Sequence, residues 1–308
     1  MLKVAFQMDE DVVVGQDVSV KLIEEAQRRG HEVLFYQPDS LALSCGEVVA
    51  EAFSVRVGES SLHTYNKVRL VLGELDMLFI RQNPPFDMRY VTTTYMLERL
   101  DILMINNPRA IRDYPEKLLP LSFPEFIPPT LVTESMGEIR AFYEEHGDVV
   151  VKPLYDYGGS GVQRVNGQSD IDAISAMMIR KYCAPLVVQR FIDDISSDKR
   201  VVLLSGNPIG VVRRRVSTTG EIRTNFRVGA VPEAAELSER EREMCRVVGS
   251  MLADVGILFA GIDILGGYLI EVNTTSPCGI LEMNQVYGTT LERDCWDNFE
   301  HALLRGRP

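Results

Sequence analysis

The amino-terminal segment reads as a strand, a helix and a second strand, and that order restricts the fold more than any other feature of the chain. Residues 2–8 (Leu-Lys-Val-Ala-Phe-Gln-Met) form an apolar run of strand length. Asp17 has the chemistry of a helix N-cap. Val18, Leu22, Ile23 and Ala26 then recur at helical spacing, with Gly30 as the stop. Val33–Tyr36 is the next strand. Two strands joined through a helix lie parallel in one sheet, so the chain opens as an α/β, Rossmann-like unit. No GxGxxG follows the first strand, which removes the dinucleotide fingerprint. Leu75–Ile80 adds a strand that runs into Arg81-Gln-Asn-Pro-Pro-Phe-Asp87. Its two prolines enforce a non-helical loop at the carboxyl edge of the sheet, where open α/β folds bind ligands. Thr92–Leu100 reads as a helix and Ile102–Ile105 as a strand, and Asn106-Asn-Pro108 breaks the pattern.

Prolines 120, 124, 128 and 129 crowd between Lys117 and Pro129 and mark a boundary. Beyond it the spacing predicts strands at Thr130–Thr133, Val149–Lys152, Val162–Val165 and Leu186–Phe191, with helices at 136–146 and 170–182. From residue 200 the pattern is antiparallel: Arg200–Leu204, Ile209–Val216 and Glu221–Phe226. A polar helix over about 238–255, a hairpin at 258–273 and a final helix from about 289 to 304 complete the chain. With 308 residues there is material for two or three subdomains, since single cores stop growing at roughly 250–300 residues.

Composition narrows the function classes. No apolar stretch approaches the roughly 20 residues of a membrane span, and the N-terminus lacks a secretory pattern. Five scattered cysteines without a CxxC pair suit reduced thiols in the cytoplasm, and the four histidines lie far apart. A net charge of −12 argues against nucleic-acid binding, though not against one bound nucleotide.

Four groups of residues carry chemistry. Lys152 precedes Asp156-Tyr157-Gly158-Gly159-Ser160-Gly161 between two strand-like runs. A glycine hairpin tip lets backbone N–H groups approach an anion, and the lysine adds a cation; a flexible tip with a solvated lysine is the competing reading. The second group is the hairpin Phe259–Asn273, which carries Asp263, Glu271 and Asn273. Ile262 and Ile264 are expected to share an apolar face with Tyr268, Ile270 and Val272. That register calls for a three-residue loop, 266–268, and sets Asp263 opposite Glu271. Two carboxylates and an amide oxygen on one face suit magnesium; a solvated polar face is the alternative. Third, alternation puts Arg213 and Arg215 on one face and turns Arg214 away, with Arg200 and Arg223 on neighbouring strands. Fourth, Gln189-Arg-Phe-Ile192 ends a strand whose exposed backbone could meet an adenine edge, and Asp198 beyond it could accept from ribose hydroxyls; a plain strand terminus is the competing reading.

Taken in order, Lys117, Lys152, the 156–161 loop, Gln189–Ile192, Asp198, Asp263, Glu271 and Asn273 resemble the ATP-grasp ligases. The segments Glu25-Ala-Gln-Arg-Arg-Gly30, Pro84-Pro-Phe-Asp87, Thr94-Tyr-Met-Leu-Glu-Arg99, Glu116-Lys-Leu118, Asp198-Lys-Arg200 and Asn273-Thr-Thr-Ser-Pro277 resemble bacterial-type glutathione synthetases, nearly end to end. This resemblance implies a Rossmann-like pre-ATP-grasp domain (1–118), a small ATP-grasp lobe with the glycine loop (119–198) and a C-terminal ATP-grasp lobe with the metal site (199–308). It implies ATP and magnesium or manganese as cofactors. Lys117, Lys152, Tyr157, Gly158, Gly159, Ser160, Gly161, Gln189, Arg190, Phe191, Ile192 and Asp198 would hold ATP, and Asp263, Glu271 and Asn273 the metal. Arg200 and Arg215 would be catalytic, and Arg81, Asn225 and Ser276 would face substrate. The implied activity makes an amide through an acyl phosphate, from a dipeptide and an amino acid, in a homo-oligomer. A lid is expected from the 156–161 loop and the 217–230 segment. The chain differs from the family pattern at Gln82, Asn83, Leu281 and 226–230, all in or near the expected substrate and lid regions. At this level three functions stay open: γ-glutamylcysteine with glycine, another substrate pair, or ATP binding without turnover.

Overall fold

The computed structural model describes residues 1–10, 12–59, 61–193, 197–215 and 229–306. The predicted strand Glu221–Phe226, Arg223, Asn225 and most of the expected 217–230 lid lie outside the described residues.

Seven strands form the first sheet: β1 (Lys3–Gln7), β2 (Glu32–Tyr36), β3 (Ala42–Ser44), β4 (Glu47–Val57), β5 (Leu62–Val71), β6 (Met77–Ile80) and β7 (Leu103–Ile105). Its order is β3-β4-β2-β1-β6-β7, with β5 paired to β4. The expected opening is present, since β2, β1, β6 and β7 run parallel. The sheet as a whole is mixed, because β4 pairs antiparallel with β2 and carries β3 and β5. Helix α1 (Val18–Arg28) starts where Asp17 accepts from the Ser19 N–H at 2.6 Å, and it buries Val18, Leu22, Ile23 and Ala26. In α2 (Met88–Leu97) the capping residue is Asp87, which accepts from the N–H groups of Arg89 and Tyr90. Asn107 and Pro108 start helix α3 (Pro108–Asp113) instead of only interrupting the chain: the asparagine caps and the proline takes the first turn.

The second sheet, in the order β10-β9-β11-β8, is built from β8 (Thr130–Thr133), β9 (Val149–Pro153), β10 (Gln163–Val165) and β11 (Leu186–Arg190). Helices α4 (Met136–His146) and α5 (Gln168–Tyr182) pack on it. In the third sheet the order is β14-β13-β12-β15-β16, from β12 (Ser197–Leu204), β13 (Asn207–Arg215), β14 (Val231–Ala234), β15 (Phe259–Leu265) and β16 (Tyr268–Asn273), all antiparallel. Three more helices follow: α6 (Glu239–Asp254), α7 (Ile280–Tyr287) and α8 (Leu291–Arg305). Ser238 and Glu241 close a capping box at the start of α6. The sequence reading did not foresee α7, which has eight residues and no side-chain cap.

Two apolar cores join the first sheet to the third. One runs from Ala5, Leu34 and Leu78 to Val201, Val248 and Ile262. The other runs from Phe6, Leu22 and Phe79 to Val202, Trp296 and Phe299. The second sheet has a separate core of Ile139, Val149, Val151, Val165, Ile171, Met178, Leu186 and Val188. No helix among the described residues is long and apolar enough to cross a membrane.

Candidate active site

The β15–β16 hairpin turns through Gly266 and Gly267, at φ +56° and +79°, so Leu265 faces Tyr268. Paired positive φ values are what a two-residue hairpin turn requires, and glycine supplies them without strain. The register then shifts between Asp263 and Ile264, and beyond the shift Asp263 opposes Glu271 and Gly261 opposes Asn273. The expected opposition of the two carboxylates is therefore present, but through a two-residue turn and a bulge, not a three-residue loop. The bulge also changes the apolar face. Leu269 joins Ile262, Ile264 and Val272 in the core, while Ile270 is only half-buried.

Inside the third sheet, two arginines and two aspartates form a buried ladder. Arg200 Nε donates to Asp263 Oδ1 at 2.5 Å and Nη2 to Oδ2 at 2.9 Å. Arg214 Nη2 lies 3.0 Å from Asp263 Oδ1, and Arg214 also forks onto Asp198. Cross-strand register makes this ladder: Asp198 faces Arg214, and Arg200 faces Asp263. Burial disfavours the charge on Asp263, but Arg200 and Arg214 outweigh it and hold the carboxyl well below the usual range. Buried charges are tolerated here because both signs are present in equal number.

This ladder corrects the reading of β13. Arg213 and Arg215 do share a face, but it is the exposed one, and Arg215 pairs with Glu233 at 2.5 Å. Arg214, read as pointing away, faces the interior, since only there do Asp198 and Asp263 meet it. Asp198, expected at a ribose, is committed to Arg214. Arg200 belongs to this ladder, and its Nη1 also donates to the Cys278 carbonyl at 3.0 Å.

Both lysines lie near enough to the hairpin to interact with Glu271. Lys117 Nζ lies 3.3 Å from Glu271 Oε1 and donates to the Asp156 carbonyl, which ties it to the glycine loop. Lys152 Nζ donates to Gln189 Oε1 at 2.8 Å, and Gln189 Nε2 to Thr130 Oγ1 at 2.8 Å. Burial pushes the Lys152 ammonium down to about 8, with Lys117 adding to the effect and Glu271 opposing it. Arg190 reaches the Tyr268 hydroxyl at 3.5 Å, and Phe191 lies under the Arg164 guanidinium at 3.7 Å. Ile192 packs against Gly266, where a Cβ would come within 2.7 Å of it.

Glu116 was quoted only as part of a resembling segment, and its role emerges from the structure. Its Oε1 accepts from the Thr274 N–H, the Thr275 N–H and the Thr275 hydroxyl at 2.8–3.0 Å. Burial, then Glu271, raise its carboxyl above the ordinary value. It pins the loop that follows β16, and nothing local in the sequence signals that.

A cavity of about 200 Å³ opens among Arg81, Tyr157, Gly158, Arg200, Arg214 and Ser276. It joins the tip of the glycine loop to the arginine ladder and to the loops after β6 and β16. At the tip, Gly158, Gly159 and Gly161 hold positive φ, and the Ser160 N–H closes a turn onto the Tyr157 carbonyl at 3.0 Å. Arg81 is buried. It donates to Ser19 Oγ and to the Pro277 carbonyl, both at 3.0 Å, and burial lowers its proton affinity. Ser276 Oγ donates to the Arg81 carbonyl at 3.5 Å. Among the described residues no group of three or more His, Cys, Asp or Glu could hold a metal. The hard donors here are two carboxylates and one amide, with Asn273 Nδ2 3.4 Å from Asp263 Oδ2. That set fits magnesium, which uses one or two carboxylates together with phosphate oxygens. Both Asp263 oxygens already accept from guanidinium groups, so Glu271 and Asn273 are the freer donors.

Comparison with known proteins adds the family. Residues 2–112 match the model of the prokaryotic glutathione synthetase N-terminal domain, and 116–288 match that of the prokaryotic glutathione synthetase ATP-grasp domain. The chain is 76% identical to a glutathione synthetase of Anaplasma centrale over the full length of both. It is 39% identical to one of Mesorhizobium japonicum, over 97% of this chain and 98% of the relative. Among solved structures, D-cycloserine synthetase DcsG superposes with a TM-score of 0.68 at 13% identity, covering 99% of this chain and 100% of that one. D-alanyl-alanine synthetase A from Vibrio cholerae does so with 0.64 at 14%, covering 99% of each chain. At such identities these two speak for the ATP-grasp fold alone.

Proposed function

The chain belongs to the prokaryotic glutathione synthetase family and is an ATP-grasp peptide ligase, and we propose that it joins γ-glutamylcysteine to glycine through an acyl phosphate. ATP would leave as ADP and phosphate. The observation that supports this most is the single cavity shared by the glycine loop, the Arg200–Arg214 ladder and the loop after the Glu271–Asn273 strand.

A carboxylate is a poor acyl donor at neutral pH. In this reading the cysteinyl carboxylate attacks the γ-phosphorus of ATP, and ADP leaves. The glycine amine then attacks the acyl carbon, loses a proton, and displaces phosphate. Lys117, tied to the glycine loop at the Asp156 carbonyl, and Lys152 would meet the ATP phosphates together with the Gly158–Gly161 backbone. Gln189–Ile192 offers its strand end to the adenine. Arg200 and Arg214, fixed by their aspartates, present preorganised positive charge to the transferred phosphate and the acyl oxygen. Arg81 and Ser276 line the substrate end of the cavity. Glu271 and Asn273, with Asp263 behind them, would hold magnesium or manganese. When bound, that cation supplies charge neutralisation for the phosphates. Arg214 takes the place first assigned to Arg215. The reading includes the division at 118 and 198, a cytoplasmic location and a homo-oligomer, which a sizing measurement tests.

Phosphate release, measured with γ-glutamylcysteine, glycine and magnesium-ATP each omitted in turn, tests the assignment. Release that needs all of them supports it. Release with other amines in place of glycine, and none with glycine, would reject it.

A further inference from the structure

One carboxylate in the cavity wall has no role in this reading. Helix α7 begins at Gly279, pressed so close to the ladder that a Cβ there would stand 3.1 Å from Arg200 Cγ. Glu282 lies in the first turn of this helix and lines the same cavity as Arg81, Arg200, Arg214 and Ser276. Its Oε2 is shut off from water and has no hydrogen-bond partner among the described residues. The carboxyl group also accepts from its own backbone N–H. Arg200 and Arg214 are near enough to act on it electrostatically. Arg200 also forks onto Asp263 and reaches the Cys278 carbonyl, and Arg214 donates to Asp198. Among the described residues, the buried side-chain oxygens of Tyr90, Ser175 and Thr274 also lack partners. Among these orphans Glu282 alone carries a carboxylate, and none of the other three lines this cavity.

An enclosed carboxylate without a donor is costly, and the cost falls away when a ligand brings the donor. Cations already surround the cavity, so the carboxylate end of a substrate has partners there. Among the described residues of this wall, Glu282 Oε2 is the enclosed carboxylate oxygen that lacks a partner for an ammonium group to supply. We propose that Glu282 is a specificity-determining residue that receives the primary amino group of an amino-acid substrate. The inference rests on the ligase reading above. Two substrate groups have this chemistry: the α-ammonium of the γ-glutamyl residue and the amine of glycine.

The test uses the whole enzyme and the variant Glu282→Gln, which keeps the shape and removes the charge. Wild-type turnover with γ-glutamylcysteine and glycine is measured first. If it is absent, the parent reading fails, independently of Glu282. With it present, Glu282→Gln should raise the KM of one amino substrate roughly ten- to a hundredfold, the range for losing a hydrogen bond to a charged group. The KM for ATP should stay within about twofold, since that site lies on other elements. A rise for glycine assigns the acceptor amine. A rise for γ-glutamylcysteine assigns the α-ammonium, and the variant should then handle glutarylcysteine, which lacks that group, as well as the wild type does. Glu282→Asp, which restores the charge one methylene short, should recover part of the loss. Should Glu282→Gln fold poorly, Glu282→Asp alone decides by a selective KM rise in one amino substrate. Unchanged KM values for both amino substrates would overturn the proposal, as would an equal fall in kcat for every substrate with no KM change.

Discussion

Lys152 is held neutral more readily than an exposed lysine, because burial pushes its ammonium down to about 8. In the free enzyme the charged form dominates below about pH 8 and is lost as pH rises through it. A phosphate contact needs the charged form, so kcat/KM for ATP should fall above about pH 8, by up to roughly tenfold per unit. Lys152→Arg, with a side chain that stays protonated, should flatten that limb. The same fall in both proteins would remove Lys152 from the phosphate site. The two faces of β13 make a second contrast. Arg214→Leu removes one arm of the buried ladder from Asp198 and Asp263 and should cost about 3–5 kcal/mol in urea unfolding. Arg215→Ala, on the exposed face, should cost no more than about 1 kcal/mol. Alternation along Val211–Arg215 was legible in the sequence, but the choice of inward face was not. A buried arginine becomes favourable only through Asp198 on one neighbouring strand and Asp263 on the next but one, and no local pattern encodes those partners.

At the scale of elements, the hairpin shows the same limit. The facing of Asp263 and Glu271 followed from the demand that carboxylates stay out of the core. The bulge that achieves it did not, because Gly266-Gly267 already satisfied a two-residue turn and the extra residue had to be absorbed elsewhere. The helices begun by Asp17, Ser135 and Ser238 were readable from the sequence, whereas α3, capped by Asn107, was read as a break. The antiparallel arm β3–β5 and the uncapped α7 were not read. Glu271→Gln should abolish metal-dependent turnover while leaving the circular dichroism spectrum unchanged. Near-normal activity would refute the metal assignment. Helix α6 gives a packing prediction of unusual sign. Gly249→Ala would ordinarily favour a helix by up to about 1 kcal/mol. Here a Cβ would come within 2.0 Å of the Gly206 carbonyl oxygen, backbone against backbone. The substitution should instead destabilise by about 1–3 kcal/mol, read by urea unfolding.

Across the whole molecule, the first and third sheets share two cores, whereas the second sheet keeps its own. Trp296 of α8 donates to the Leu22 carbonyl of α1 at 2.9 Å, and Arg29 pairs with Glu300 at 2.9 Å, so the carboxyl-terminal helix locks onto the first sheet. The sequence suggested boundaries at 118 and 198. The first sheet ends at Ile105, the second spans Thr130–Arg190 and the third begins at Ser197. Nothing in the sequence signals that the outer two share a core. Hydrogen exchange should therefore show β1 and β12 opening together, and β8–β11 opening at lower free energy; the opposite order would contradict this partition. Such a partition leaves the second sheet, with its glycine loop, the unit best able to close on ATP while the arginine ladder stays fixed. The central claim is that a carboxylate is phosphorylated in that cavity before the amine attacks. It is tested by γ-glutamylcysteine carrying oxygen-18 in its cysteinyl carboxylate. One labelled oxygen should appear in the inorganic phosphate for each amide formed. Unlabelled phosphate, or release of AMP and pyrophosphate, would contradict the account.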